Sequence, residues 1–538
     1  MNNKVSDMKN ILSQLKHMKK LVLIPVFFLA FFLYSCEDII DLNPYSSIAE
    51  SDAYSTPSLI ELSVLGMYNG AQRGYYPANG TGRGYPFGAA FVEQGDCRGE
   101  DAVNLQAFYQ YTYEGTYTTS TANNEAYWSD TYRLINRCNM VIAGVNNAVT
   151  KNIITAAVGN QYLGEAYFMR GIAHLELLFH FARPYKETAN ASHPGVPYRT
   201  KPYTTQSAID EGSAQSRNTV AECYAKILED LNFAEANLPG KSARTGNAKI
   251  VRATKGAAIA MKTRVYQHMW DWANVITEGQ KLLALPAADG YSLTAAPDGP
   301  FASNYSNTES IFSMENSATN NPTTNGSLPQ MYNGKGRALV CISPIVWRNS
   351  YWLADDKRRG ATMAYTPTSG SLKGIYFTEK YKDIVNFTDA APVIRHAEVL
   401  LNMAEAYARR NGAGDLANAL LYLNQVRNRS LATPGTQAYT AGSFVDANAM
   451  INAILAERRI EFCMEGRRWP DLHRLKLDIP GKLSNSNPPA TSYTLGTEYT
   501  GPYGVVAVPY ANYKYLWPIP QIEINANPVL AAEQNPGW

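Results

Sequence analysis

The chain has no surplus of charge of either sign. Its 538 residues include 48 Lys and Arg against 46 Asp and Glu, and setting aside Lys4, Lys9, Lys16, Lys19, Lys20 and Asp7, which all precede Cys36, leaves 43 basic and 45 acidic residues. That body has no basic run, which excludes a protein whose affinity rests on neutralising nucleic-acid phosphates. Cysteine is scarce: there are six, no two at C-x-x-C spacing, so neither a disulfide framework nor a zinc site is written here. Cys138, Cys223 and Cys463 fall in apolar helical patterns and are expected to be buried. There are seven histidines and no H-E-x-x-H, and no G-x-S-x-G elbow occurs. Gly240-Lys241-Ser242 has Glu235 where a phosphate loop needs glycine, and Gly82–Gly88 lacks nucleotide-loop spacing. No apolar run reaches the roughly 20 residues of a membrane span. The apolar stretch Leu21–Ser35 has fifteen residues and contains Pro25.

What is present begins with that stretch. Lys19-Lys20, the apolar run and then Cys36 make a secretory leader over residues 1–35, with Met18 as an alternative start. Leu33-Tyr34-Ser35-Cys36 resembles a bacterial lipobox, which implies lipidation of Cys36; acyl chains anchor at roughly 0.8 kcal/mol per buried methylene. Glu37, Asp38 and Asp41 resemble the surface-export signals of such lipoproteins.

Apolar residues make up 45% of the chain and charged residues only 17%, enough to build a large core. Helical periodicity is strong in 159–181, where Leu163, Tyr167, Arg170, His174, Leu177 and Phe181 share a stripe, and in 219–238 and 251–270. Asp271 opens a further helix to about Leu283. Another pair spans 393–410 and 415–429, with Asn411-Gly412 as the stop and Asp415 as the next cap. A fourth helical stretch runs from Asp446 to Leu475. Paired helices with short turns predict a mainly α fold of tetratricopeptide-like units, with pairs over about 127–283 and 393–475. Between them lie loop-rich stretches of minor β character at about 69–125, 286–392 and 480–515. These loops hold much of the tyrosine, 36 residues against 17 Phe and 8 Trp, and so many rings argue against disorder.

Seven segments taken in order carry a family resemblance: the lipobox with EDIIDLNP, WSDTYRLINRCNMVI from Trp128, GEAYFMRGIAHLELLFHFARPY (164–185), VRATKGAAIAMKTRVY from Val251, RHAEVLLNMAEAYAR (395–409) with LNQVRNR (423–429), ERRIEFCMEGRRWPDLHRL (457–475), and LWPIPQIEINANP with the closing QNPGW. The chain is similar to SusD/RagB-type surface lipoproteins. That resemblance implies a single helical domain over 36–538, held to the outer membrane by its lipid and facing the cell exterior. It also implies a SusC-like TonB-dependent transporter as partner and an extracellular oligosaccharide as cargo. From the residues themselves no cofactor, metal ligand set or catalysis is expected. A peptide cargo stays open. So do a docking subunit with no ligand site of its own and a surface glycoside hydrolase, although no converging carboxylate pair is apparent.

Sugar rings stack their C–H faces on aromatics while their hydroxyls pair with polar neighbours. The loop residues expected to bind ligand are therefore Arg73, Tyr75, Tyr76, Arg83, Tyr85 and Phe87, with Tyr305, Tyr332, Trp347 and Trp352 from the second loop region. Asp96 and Arg98 are expected to add polar contacts. Glu457, Glu461 and Glu465 fall four apart and would share a helix face. With Arg458, Arg459, Arg467, Arg468 and Asp471 nearby they read as a structural ion-pair network rather than a catalytic pair. His174 and His396 read as satisfied core histidines.

Overall fold

The helix signals translate directly into elements. In the computed structural model the described residues are 52–75 and 82–538; the leader, Cys36 and Tyr76 lie outside them. Helix α1, Pro57–Arg73, opens with Thr56 accepting the Leu59 N–H at 3.3 Å and has proline in its first turn, where no donor is missed. Helix α2 is Ala89–Arg98, α3 Ala122–Thr150 and α4 Ala156–Phe181. Helix α5, Gln206–Gly212, precedes α6, Val220–Asn237, which opens on a reciprocal Thr219–Glu222 capping box. Helix α7, Lys255–Met269, and α8, Trp272–Leu283, meet at Trp270 in the left-handed region, and Asp271 caps α8. Then come α9, His396–Arg410, α10, Asp415–Asn428, α11, Ala447–Glu461, α12, Arg468–Arg474, and near the end α13, Gln521–Ala526.

Neighbouring helices pack in succession: α3 on α4, α4 on α6, α7 on α8, α8 on α9, and α9 on both α10 and α11, with α1 against α3. This is the expected mainly α scaffold of helix pairs. Thr56–Trp538 makes one compact unit. The β structure is minor, with three antiparallel two-stranded ladders among the described residues: β1 (Ala102–Asn104) with β3 (Val340–Ile342), β2 (Ser310–Met314) with β6 (Ala391–Arg395), and β4 (Ala364–Tyr365) with β5 (Phe377–Thr378).

Helix α4 is buried on nearly every side, so its polar members need internal partners. Arg170 grips Asp230 of α6 through two bonds of 2.9 and 2.6 Å, and Tyr198 donates to the same carboxylate at 2.7 Å. His174 stacks on Tyr198 at 3.7 Å and bonds the Arg170 carbonyl, so it is a core histidine as expected. Cys97, Cys138, Cys223, Cys341 and Cys463 are all buried and unpaired.

Three expectations change. The stretch 446–475 is not one helix: α11 ends at Glu461, the chain turns through Met464 (φ 64°) and Gly466 (φ 72°), and α12 begins at Arg468. Glu465 therefore leaves the face shared by Glu457 and Glu461, though not their ion network. Asp415 is not the cap of α10; Gly414 is, and Asp415 in the first turn takes the Gly412 N–H at 2.8 Å and pairs with Arg410. Third, 69–125 is less irregular than its composition implies, because it holds the end of α1, all of α2 and the start of α3.

The ion network is a closed, neutral cluster of five cations and five carboxylates: Arg358, Lys380, Arg395, Arg427 and Arg429 with Glu309, Asp356, Glu457, Glu461 and Glu465. Nine members are buried, and the side chain of the tenth, Arg429, is only 6% exposed. Burial alone would raise Glu461, but Arg429, Arg395 and Arg358 outweigh it and hold the carboxyl far below its ordinary range. The cluster ties the second loop region to α10 and α11 by charge.

Candidate ligand groove

Beside the C-terminal end of α1 the structure opens a groove of about 730 Å³. One wall is α3, which presents Ser129, Arg133, Arg137 and Met140, with Tyr132 and Asn136 between them. Arg199, Tyr203 and the end of α5 form a second wall, and α13 closes the third with Ile522, Glu523 and Ala526. Tyr75 stands at the rim, 43% exposed, held by its N–H donating to Asp130 at 2.9 Å. The Arg137 guanidinium lies 4.5 Å from the Tyr75 ring centre and that of Arg133 5.6 Å. In the second wall Arg199 sits 4.8 Å from Tyr132 and 5.3 Å from Tyr203 and pairs with Glu523 at 2.7 Å. Glu523 also accepts from Trp128 Nε1 at 3.0 Å. Two bare backbone positions make this geometry fit. A Cβ on Gly212 would meet the Tyr203 ring at 2.5 Å, and one on Gly70 would meet Arg137 Nη1 at 2.5 Å.

A second recess of about 460 Å³ opens along α1 on residues Tyr68, Asn69 and Gln72, facing Asn247, Arg252 and Asn320. It is amide-lined: Asn69 donates to Asn320 at 3.1 Å, and Asn247 donates to Glu315 at 2.8 Å. Arg252 is spent on Glu165, at 2.7 Å.

Most of the loop rings expected at a surface are inside. Tyr85 is buried and donates to Asn123 at 3.2 Å, and buried Phe87 packs on Phe91 at 5.3 Å. The Gly82–Gly88 segment is thus a tight buried turn rather than a flexible surface loop; a Cβ on Gly84 would strike Gly88 Cα at 2.6 Å. Tyr332 is buried against Asp96, and half-buried Tyr305 bonds the carbonyls of Asn316 and Thr388. Trp347 stacks on Tyr376 at 4.0 Å and meets Trp352 edge-on at 5.3 Å, both under Arg359. Arg98 is sandwiched between Trp469 (3.5 Å) and Trp517 (4.9 Å), and burial lowers its guanidinium to about 10. Burial likewise raises the Asp96 carboxyl to about 7. Tyrosine is polar at one end only, and these loops use the hydroxyl to satisfy interior partners and the ring to fill space.

Of the expected ligand residues, Tyr75 lines the groove. Arg73 and Arg83 are half-buried, and Arg83 lies 4.1 Å over Phe108. The groove residues missed in the sequence are Tyr132, Arg133, Arg137, Arg199, Tyr203 and Glu523. For Arg133 and Arg137 the available signal was the i, i+4 row Ser129–Arg133–Arg137, a polar face on one helix.

Two family models match the chain. One, described as the SusD family, covers residues 346–538; the other, described as starch-binding and associating with the outer membrane, covers residues 67–267. A SusD superfamily protein of known structure from Bacteroides fragilis shares 28% identity at a TM-score of 0.72, covering 89% of this chain and 99% of its own. A SusD-like carbohydrate-binding protein from Bacteroides vulgatus shares the fold at a TM-score of 0.70 and 20% identity, covering 88% of this chain and 97% of its own. SusD-like protein P2 of Formosa agariphila is 26% identical over 77% of this chain and 80% of its own length. The architecture is that of the SusD superfamily, helical with few short strands. Within it, the chain belongs to the SusD/RagB family.

Proposed function

We propose that this chain is a non-catalytic binding protein of the cell surface. Lipid on Cys36 tethers it to the outer membrane, and it captures extracellular oligosaccharides in the groove beside Tyr75 and delivers them to a SusC-like TonB-dependent transporter. The observation that carries the reading is the groove itself: the rings of Tyr75 and Tyr203 set among guanidinium, amide and hydroxyl groups in one open concavity, with Tyr132 buried in its lining. Rings bind the C–H faces of a sugar and the polar groups bind its hydroxyls. The family description of starch binding at the outer membrane and the carbohydrate-binding relative from Bacteroides vulgatus point the same way. Glu523, the carboxylate on the groove wall, is engaged by Arg199 and Trp128, which suits holding a glycan better than cleaving one. Affinity should be modest, since an open, wet site gains little from burial.

The test is a panel of polysaccharide-containing native gels and immobilised peptides, run with protein beginning at Glu37. The Tyr75→Ala/Tyr203→Ala double variant is expected to lose retardation on the glycan that slows the parent, with an unchanged melting temperature. Equal retardation of parent and variant would refute the groove, and binding to peptides alone would refute the glycan.

A further inference from the structure

The groove is positively charged in a protein whose body is not. Its walls carry three arginines, Arg133, Arg137 and Arg199, against one carboxylate, Glu523. Arg199 is neutralised by Glu523 at 2.7 Å. Arg133 pairs with Asp130 at 3.1 Å, but its side chain is 54% exposed and Asp130 also accepts the Tyr75 N–H. Arg137 has no carboxylate partner among the described residues: it donates to the Gly66 carbonyl at 3.2 Å and to the Tyr75 hydroxyl. Gly70 leaves the space in which that guanidinium lies. One turn of α3 thus delivers two adjacent guanidiniums to the rim, one with no acid partner and the other half in water.

We infer that the oligosaccharide this groove takes is anionic, bearing carboxylate or sulfate groups. The inference rests on the proposed glycan-binding reading of the same groove. A guanidinium fork matches a carboxylate or sulfate with two parallel charge-assisted hydrogen bonds, whereas a hydroxyl offers neither the charge nor the second acceptor. A cleft lined by one sign of charge also concentrates counter-charged ligands. The second recess shows what a site free of that bias looks like here: Asn69 faces Asn320, its carboxylate Glu315 accepts from Asn247, and its arginine is already bound to Glu165. In the Tyr75 groove the geometry places an acidic substituent against Arg137 and Arg133 while the sugar ring lies along the Tyr75 side.

The experiment is titration calorimetry of the form starting at Glu37 with three defined ligands: a neutral glucan oligosaccharide, an oligogalacturonate and a sulfated galactan oligosaccharide. The last two distinguish carboxylate from sulfate. Binding is expected for at least one acidic ligand, weakening about tenfold between low and high salt, and weakening about tenfold or more in Arg133→Gln/Arg137→Gln at an unchanged melting temperature. Arg137→Lys keeps the charge without the fork and should recover part of the loss. Binding of the neutral glucan alone, abolished by Tyr75→Ala/Tyr203→Ala, would overturn this inference and leave the glycan reading standing. Failure of all three ligands would overturn both. Acidic binding indifferent to salt and to the arginine variants would place the charge recognition elsewhere and overturn the inference.

Discussion

Replacing Asp96 by Asn should make the protein more stable at neutral and alkaline pH. Asp96 lies on α2, fully inside, where Gly466 donates its N–H to one carboxyl oxygen at 2.9 Å and Tyr332 its hydroxyl to the other at 2.7 Å. Burial outweighs both bonds and lifts the carboxyl from 3.8 to about 7. Between those values the folded protein keeps a proton that the unfolded chain has released, so folding loses about 1.4 kcal/mol per pH unit as pH rises, and nothing further above 7. The gap of about three pH units amounts to roughly 4 kcal/mol by pH 8. Asn reproduces the shape: its oxygen accepts from Gly466, its amide donates to Tyr332, and no charge needs to be buried. Urea denaturation of parent and Asp96→Asn at pH 4 and pH 8 isolates the effect, because any fixed geometric cost of Asn cancels between the two pH values. The variant should gain roughly 3–4 kcal/mol on the parent between pH 4 and pH 8. A difference between the two proteins that does not change with pH would refute the reasoning.

Two further outcomes follow from the packing. Glu461→Gln leaves Arg358, Arg395 and Arg429 facing one carboxylate fewer in a buried cluster, and should lower stability by about 3–5 kcal/mol in urea denaturation without weakening ligand retardation; a loss below about 1 kcal/mol would mean that water reaches the cluster. Gly212→Val drives a side chain into the Tyr203 ring, which a Cβ alone would meet at 2.5 Å, and should reduce glycan retardation while moving the melting temperature little, α5 being short and mostly exposed.

The helix pairs were legible because apolar spacing and caps agree locally: α6 with its Thr219–Glu222 box, α8 with Asp271, and α9 ending at Asn411 in the left-handed region. Helix α2 was not, because Glu93, Gln94, Asp96 and Arg98 leave it no apolar stripe; it is buried all round, and Asp96 and Arg98 find partners from distant segments, Tyr332 and Gly466 for the one, His180 for the other. The turn at 462–467 carries one signal, Gly466, which sits in the left-handed region, but the helix-forming residues on both sides of it outweighed a single glycine. The loop rings were visible as rings but not as inward ones. Tyr113, Tyr332 and Tyr493 each give their hydroxyl to an interior acceptor, on Leu483, Asp96 and Ile342. Composition cannot tell that use from a ligand face, since both need an apolar body with a polar tip.

The same distinction says how this molecule divides its labour. The second loop region is fastened by hydroxyls and by the ten-membered ion cluster, which leaves many of its aromatics little freedom to meet a ligand. The groove instead draws Arg133 and Arg137 from α3, whose other face is packed on α4 and whose backbone therefore holds the two positions in place. Tyr75 comes from beyond a helix end, carried just past α1 and steadied by Asp130. Changes near Tyr75 would then alter which sugar ring is stacked, while the preference for an acidic substituent would persist as long as Arg133 and Arg137 stay one turn apart on α3. Ring choice and charge choice reside on different elements, so substitutions at Tyr75 and at Arg137 should change different ligand preferences.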